Sequence, residues 1–354
     1  MATVTGTFDI STLLAARFQS PAAFGLETIE LILRNDLSAH NAIVGEMLAE
    51  MCEVTSDRQR IYGTSVDGSM QEVDEYGAGP TQQNKPGATT GFPLRLFQFP
   101  LSWTAKFFQT AKAADMATMQ LAAEKAHLRE IQRQIKKAMF LSANYDFRDY
   151  LVDNVTLNVK RFVNADSAAI PDGPNGETFD GTSHTHYSAN SGLTATVLTN
   201  LVNNVIEHGH GGYVKLAINK TDEAAVRALT GFVGYIDARV AASMNTDRAS
   251  MTTLDVSRLD NRAIGVFAGA EVWVKPWALA SYPFAWDSAS PNKPLAFRQR
   301  DVDTLQGLRI AAENDEYPLI VKFMEAEFGI GVWTRTNGAL LYTGGASWTD
   351  PTIA

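Results

Sequence analysis

Four of the six histidines fall in two His-x-His pairs, His184/His186 in "SHTHY" and His208/His210 in "EHGHGG". On an extended backbone residues two apart share a face, so each pair could offer two imidazoles to one metal ion. Both pairs lie in stretches rich in Gly, Ser and Asn, and no strong carboxylate spacing completes either set. Solvated loop histidines are the plainer reading. No metal and no cofactor is assigned, and the four residues stay as candidate ligands for one alternative function, a metal-dependent α/β hydrolase.

Other local motifs carry less. "HGHGG", from His208 to Gly212, has the look of an oxyanion loop in lipase-like hydrolases, but the Gly-x-Ser-x-Gly elbow that chemistry requires is absent. "GIGVWT" at Gly329 lacks the third glycine of a dinucleotide loop and lies too near the C-terminus to open a βαβ unit. No Gly-Lys-Ser/Thr occurs. "DGPNGETFDG" from Asp172 has acidic turn residues but not EF-hand spacing. No catalytic residue is named, and the expectation is a protein that is not an enzyme.

Bulk properties narrow the classes further. Of 354 residues, 45% are hydrophobic and 19% charged, a globular composition. The net charge of −9 argues against a protein that grips nucleic acid with clustered cations. Cys52 is the sole cysteine, which excludes an internal disulfide and a cysteine-based zinc site. "MATVTGTFDISTLLAARF" has no basic start or apolar core of a secretory signal, and "AIGVFAGAEVWV" (263–274) is too short to span a bilayer. A soluble protein with no membrane role is expected.

The elements that would position any site follow from periodicity. Leu26 to Met51 has helical spacing in two pieces, with Ser38 a plausible cap near the break. "FPLRLFQFPLSW" alternates, with Phe92, Leu94 and Leu96 on one side and Arg95 on the other, and its two prolines confine it to a sheet edge. Ala114 to Leu141 contains neither Gly nor Pro and predicts a helix about 40 Å long. Its stripe is Leu121, Leu128, Ile131, Ile135 and Met139, opposite Lys125, Arg129, Arg133 and Lys136. "NVTLNVKRFV" reads as a strand, "LTATVLTNLVNNVIEHG" as a helix, and "GYVKLAINKTDEAAVRAL" as a strand–helix unit capped at Thr221 or Asp222. "AIGVFAGAEVWVKPW" turns at Gly269, and the last third gives strands with a turn signal at Asn337-Gly338.

Between two extended arms lies "YGAGPTQQNKPGATTGF", Tyr76 to Phe92, with four glycines and two prolines. So polar and punctuated a tongue has no means of burying itself on its own core. The order of helical arm, long hairpin, long helix, strands, α/β insertion and returning strands resembles the major capsid protein of tailed bacteriophages with the Hong Kong 97-type fold. The texture of "FGIGVWTRTNGALLY" adds to it.

The resemblance implies an α+β fold with N-terminal arm and lead-in helices (1–57), an E-loop hairpin (58–106), a P-domain (107–189) with spine helix 114–141, an A-domain (190–286), and return strands (287–354). It implies self-assembly as hexamers and pentamers into an icosahedral shell enclosing double-stranded DNA without sequence-specific binding. A scaffolding protein, a portal and a decoration protein are implied partners. The virion is the implied location, after assembly in the host cytoplasm. An encapsulin-like nanocompartment shell is the alternative within the fold. In such a shell the tongue lies across a neighbouring subunit. Glu72, Asp74 and Glu75 on the ascending arm, with Arg129, Arg133, Lys136 and Lys137 on the spine helix, are then candidate complementary patches between subunits. Lys85, the only lysine of the tongue, is a further contact candidate. It would also be the donor, with Asn337 as acceptor, if the chain cross-linked as some members of that family do, although no glutamate is positioned to act as base.

Overall fold

The computed structural model describes residues 10–16, 18–62, 70–81, 88–163, 166–168, 170–235 and 261–353. Two long helices with several shorter ones, two large sheets and a projecting arm make up an α+β architecture. The helix Leu26–Ala49 is continuous, because Ile29, Ile32, Leu33, Leu37, His40, Val44 and Leu48 keep one buried stripe at three- and four-residue spacing throughout. The expected break at Ser38 does not occur, and Ser38 is exposed in mid-helix.

The long helix runs Ala113–Phe140, one residue from its predicted start and end. Asp115 accepts from the Lys112 backbone N–H at 3.1 Å, tying down the first turn. Its buried face is rotated from the predicted stripe. Ile131 and Met139 are buried, but Leu121, Leu128 and Ile135 are half-buried, and the centre of the contact is Met116, Ala117, Gln120, Ala123, Glu124 and His127. Polar residues hold that face because they bond across to the first helix. Gln120 Nε2 donates to the Leu33 carbonyl at 2.7 Å, and His127 Nδ1 lies 3.0 Å from His40 Nε2.

Five strands form the first sheet. Cys52–Thr55 pairs in parallel with Leu295–Gln299, which pairs antiparallel with the fourteen-residue strand Leu319–Val332. That strand also pairs with Arg309–Glu316 and, along its other edge, with Arg95–Thr104. The strand with the two prolines therefore lies at a sheet edge, as expected, with Pro93 just before it and Pro100 within it. Its facing differs from expectation. Phe92 and Leu94 are buried before the strand begins, and within it Phe97, Phe99, Leu101 and Trp103 turn inward while Leu96 is exposed. The alternation changes phase where irregular backbone precedes Arg95. The glycines of "GIGVWT" serve this packing. A Cβ on Gly329 would collide with the Pro93 carbonyl oxygen, and one on Gly331 would lie 2.6 Å from the Phe92 ring.

Seven strands form the second sheet, in the order Tyr187–Ala189, Ala339–Tyr342, Phe284–Asp287, Val214–Ile218, Ala270–Val274, Arg262–Phe267, Val233–Gly234. It draws on residues either side of 190–286. Its central strands are buried on both faces. Leu216, Ile218, Ala285, Ala339 and Leu341 pack under the helix Ala195–Ile206, while Ala217, Phe284, Trp286 and Leu340 join the core of the first sheet. Arg262–Phe267 and Ala270–Val274 are joined by a two-residue turn in which Ala268 and Gly269 have φ of 49° and 83°. Asn337-Gly338 lies at a turn, as expected, but a buried one. Asn337 is 0% exposed, and the short turn Arg335–Asn337 carries the chain from one sheet to the other. The predicted cap position holds, with Asp222 at the N-cap of the short helix Glu223–Arg227, but its side chain does not cap. Asn219 caps the Thr221 N–H at 2.9 Å, and Asp222 instead accepts from Ser281 N at 3.0 Å.

The arm leaves this body through a short ribbon, Gln59–Tyr62 paired antiparallel with Ala88–Gly91. Arg298 anchors its base by donating to the Phe92 carbonyl at 2.8 Å and to Asp149 at 2.9 Å. Among the described residues no helix is long and apolar enough to cross a membrane.

Candidate functional sites: a histidine cluster and a projecting arm

Three of the four histidines singled out by spacing converge. His208 Nε2 lies 3.0 Å from His184 Nε2 and 2.9 Å from His186 Nε2. The two-apart rule places His184 and His186 together, although they lie just before the edge strand Tyr187–Ala189, with a bend at His186, and not in a strand. It fails for the second pair. Gly209 adopts φ of +80° just past the helix Ala195–Ile206, with its N–H on the Ile206 carbonyl at 2.9 Å, so the chain reverses between His208 and His210. His210 turns away to Thr336 Oγ1 at 3.1 Å and Ser290 Oγ at 3.3 Å.

The sequence reading missed Glu207. Its Oε1 lies 3.4 Å from His184 Nε2, buried and without a hydrogen-bond partner. The signal was present as a carboxylate next to His208 at a helix end, but the spacing rules weigh ligands on a shared face and not at a helix terminus. His186 Nδ1 lies 2.8 Å from the Gly338 carbonyl, so this nitrogen carries the proton and Nε2 carries the lone pair. Phe179 covers the cluster, with its ring 4.5 Å from that of His184 and 4.2 Å from that of His208.

Burial holds the imidazoles of His186, His208 and His210 neutral. It pushes His208 down to about 4, His186 well below the usual range with the His208 charge acting the same way, and His210 down against the opposing charge of Asp287. Burial raises the Glu207 carboxyl, against the His184 charge. The buried Cys52 thiol is pushed up to about 12, which leaves it protonated and unreactive.

The projecting arm has different chemistry. Residues 70–81 are exposed throughout, and their bonds are local, such as Tyr76 N–H to Asp74 Oδ1 at 3.1 Å. Met70 is fully exposed and Tyr76 is 90% exposed. Glu72, Asp74 and Glu75 all lie here in solvent. On the spine helix Arg129 is exposed, while Arg133, Lys136 and Lys137 are half-buried, and Arg133 bonds Glu130 of its own helix at 3.1 Å. Among the described residues no ion pair within the chain joins the two sets. Lys85 lies outside the described residues. Asn337 is unsuited to cross-linking, because its amide donates to the Asp287 and Asn292 carbonyls from a fully buried position.

No model of a known protein family matches the chain, and a search of curated proteins finds no match. Solved structures do match. A chain in a structure of Mycobacterium phage Patience superposes with a TM-score of 0.66 at 19% identity, covering 99% of this chain and 97% of that one. The capsid of a native GTA particle gives 0.48 at 13% identity over 84% and 90%, and the capsid of the cyanophage P-SCSP1u 0.46 at 9% over 83% and 86%. The near-complete overlap with the first, in both directions, leaves neither chain a large element unmatched. The chain has the Hong Kong 97-type capsid fold.

Proposed function

We propose that this chain is the major capsid protein of a tailed bacteriophage, assembling with copies of itself, as hexamers and pentamers, into the icosahedral head shell around double-stranded DNA. The superposition over essentially the whole of a phage chain carries the reading. The arm supports it, because exposed apolar side chains such as Met70 and Tyr76 on a segment without cover from its own body call for a surface on another chain. The role is structural, not enzymatic, and places the protein in the virion. With a net charge of −9, the inner wall tolerates DNA without condensing it, and a motor acting through a portal does the filling. A separate scaffolding protein guides curvature in this reading.

The experiment is size-exclusion chromatography with negative-stain microscopy of the recombinant chain, alone and with its scaffold candidate. Closed shells or hexamer and pentamer rings are expected. A permanently monomeric protein under all conditions overturns the reading, and shells packed with a protein cargo turn it into the encapsulin-like alternative.

A further inference from the structure

The cluster at the end of the helix Ala195–Ile206 does something its neighbours cannot explain. Three Nε2 atoms face one another, yet a single proton on His208 Nε2 cannot point along both its 3.0 Å contact to His184 and its 2.9 Å contact to His186. Because Nδ1 of His186 spends its proton on Gly338, His186 Nε2 has none to offer. At least one of these close nitrogen–nitrogen contacts therefore lacks a well-directed hydrogen bond. Glu207 Oε1, beside His184, is also buried without a hydrogen-bond partner.

We propose that His184, His186 and His208 form a structural binding site for a divalent transition metal ion, with zinc the best-fitting candidate and Glu207, in contact with His184, turning in as the fourth ligand. A cation at the centre satisfies the three inward nitrogens at once. Tetrahedral zinc with bonds near 2.0–2.1 Å places its ligand atoms about 3.3 Å apart. The two nitrogen–nitrogen contacts of 2.9 and 3.0 Å and the 3.4 Å separation of His184 Nε2 from Glu207 Oε1 stand within a few tenths of an ångström of that spacing. All three histidine ligand atoms lie within 4.8 Å of one another.

The surroundings match what such a site requires. The Gly338 carbonyl fixes the tautomer and ring plane of His186, the orienting role that outer partners play around metal-bound histidines. Phe179 shields one side, and His184 and Glu207 remain partly solvent-accessible, which gives the ion an entry path. Imidazole nitrogens with one carboxylate suit zinc and its first-row neighbours, not magnesium or calcium. With the Glu207 side chain turned in, three histidines and a carboxylate close a four-coordinate shell and leave no position for a reacting water, so the site is a staple and not a hydrolytic centre. It would fasten the loop before Tyr187–Ala189 to the helix terminus and, through His186, to the strand entering at Gly338. This inference does not depend on the shell reading.

The test uses the untagged, purified full chain. Cobalt(II) added in equimolar amount is expected to give the intense visible absorption of a tetrahedral site, and zinc is expected to remain at about one ion per chain after gel filtration. His184→Gln and Glu207→Gln are expected to weaken zinc retention by at least about 10-fold, and His210→Gln to leave it unchanged. Zinc is expected to raise the melting temperature of the wild type and of His210→Gln but not of His184→Gln. Because the cobalt spectrum is read on the unaltered protein, a folding failure in a variant does not decide the matter. The proposal is overturned if the wild type shows only the weak spectrum of six-coordinate cobalt, or holds no more zinc than His184→Gln.

Discussion

Arg298 and Asp149 form an ion pair of 2.9 Å with both side chains almost completely withdrawn from solvent. The same guanidinium donates to the Phe92 carbonyl, so one residue of the central sheet fixes both the base of the projecting arm and the turn that follows Tyr145–Arg148. A buried pair adds little net stability over an apolar replacement, but breaking it leaves a lone charge in the interior. Arg298→Met is therefore expected to cost about 3–5 kcal/mol. The double variant Arg298→Met/Asp149→Leu is expected to recover part of that loss. Urea denaturation of unassembled subunits, arranged as a double-mutant cycle, measures both.

Gly329 lies where the arm's return crosses the long strand. A methyl group there meets the Pro93 carbonyl oxygen, a backbone atom that cannot rotate aside. Gly329→Ala is expected to destabilise the subunit by about 1–3 kcal/mol. Gly45→Ala, in a helix where a Cβ meets nothing within 4 Å, is expected to be neutral or slightly stabilising. Equal melting temperatures for the two variants would contradict the packing argument.

The interface between the two long helices predicts opposing pH responses. Burial holds His127 down to about 4, with the His40 charge acting the same way. The folded state thus resists a proton that the unfolded chain accepts from about pH 6.5 downward. Stability from this group is complete above that pH and is lost as pH falls toward 4, by about 2 kcal/mol at pH 5. Glu124 behaves in reverse. Burial, then a hydrogen bond and charge from Asp36, raise its carboxyl to about 8, so its contribution is complete below pH 4.5 and fades as pH rises through 8. His127→Gln is expected to flatten the acidic limb and Glu124→Gln the alkaline one, as read from thermal melts at pH 4 to 9.

Charge reversal tests the arm. With Glu72, Asp74 and Glu75 exposed and unpaired with the spine helix of their own chain, Glu72→Lys/Asp74→Lys/Glu75→Lys is expected to leave the circular dichroism of the subunit unchanged. The same variant is expected to impair shell assembly, and a compensating Arg129→Glu change to restore part of it. Normal yields of closed shells from the triple variant by electron microscopy would reject the charge argument.

Much of the frame was legible in the residues because it rests on local rules. The long helix follows from composition without Gly or Pro, the Ala268-Gly269 turn from its glycine, and the edge position of Arg95–Thr104 from its prolines. What was hidden depends on distant partners. Gln120 and His127 read as polar positions on the long helix, yet they are buried because Leu33 and His40 lie opposite. Asn337-Gly338 reads as a turn and is one, but it is held inside by Asp287 and Asn292, some 45–50 positions earlier. The histidine spacing identified three of the four residues in the cluster. The left-handed Gly209 and the adjoining Glu207 were needed to say which three and with what fourth.

The parallel pairing of Cys52–Thr55 with Leu295–Gln299, itself completed by Leu319–Val332, has a bearing on biosynthesis. The middle of the sheet is made from segments about two thirds of the chain apart, and contacts so distant in sequence form late. A chain still attached to the ribosome has no finished central layer until its last tenth emerges. Truncated products therefore lack the completed central layer, and the topology acts as a check on length.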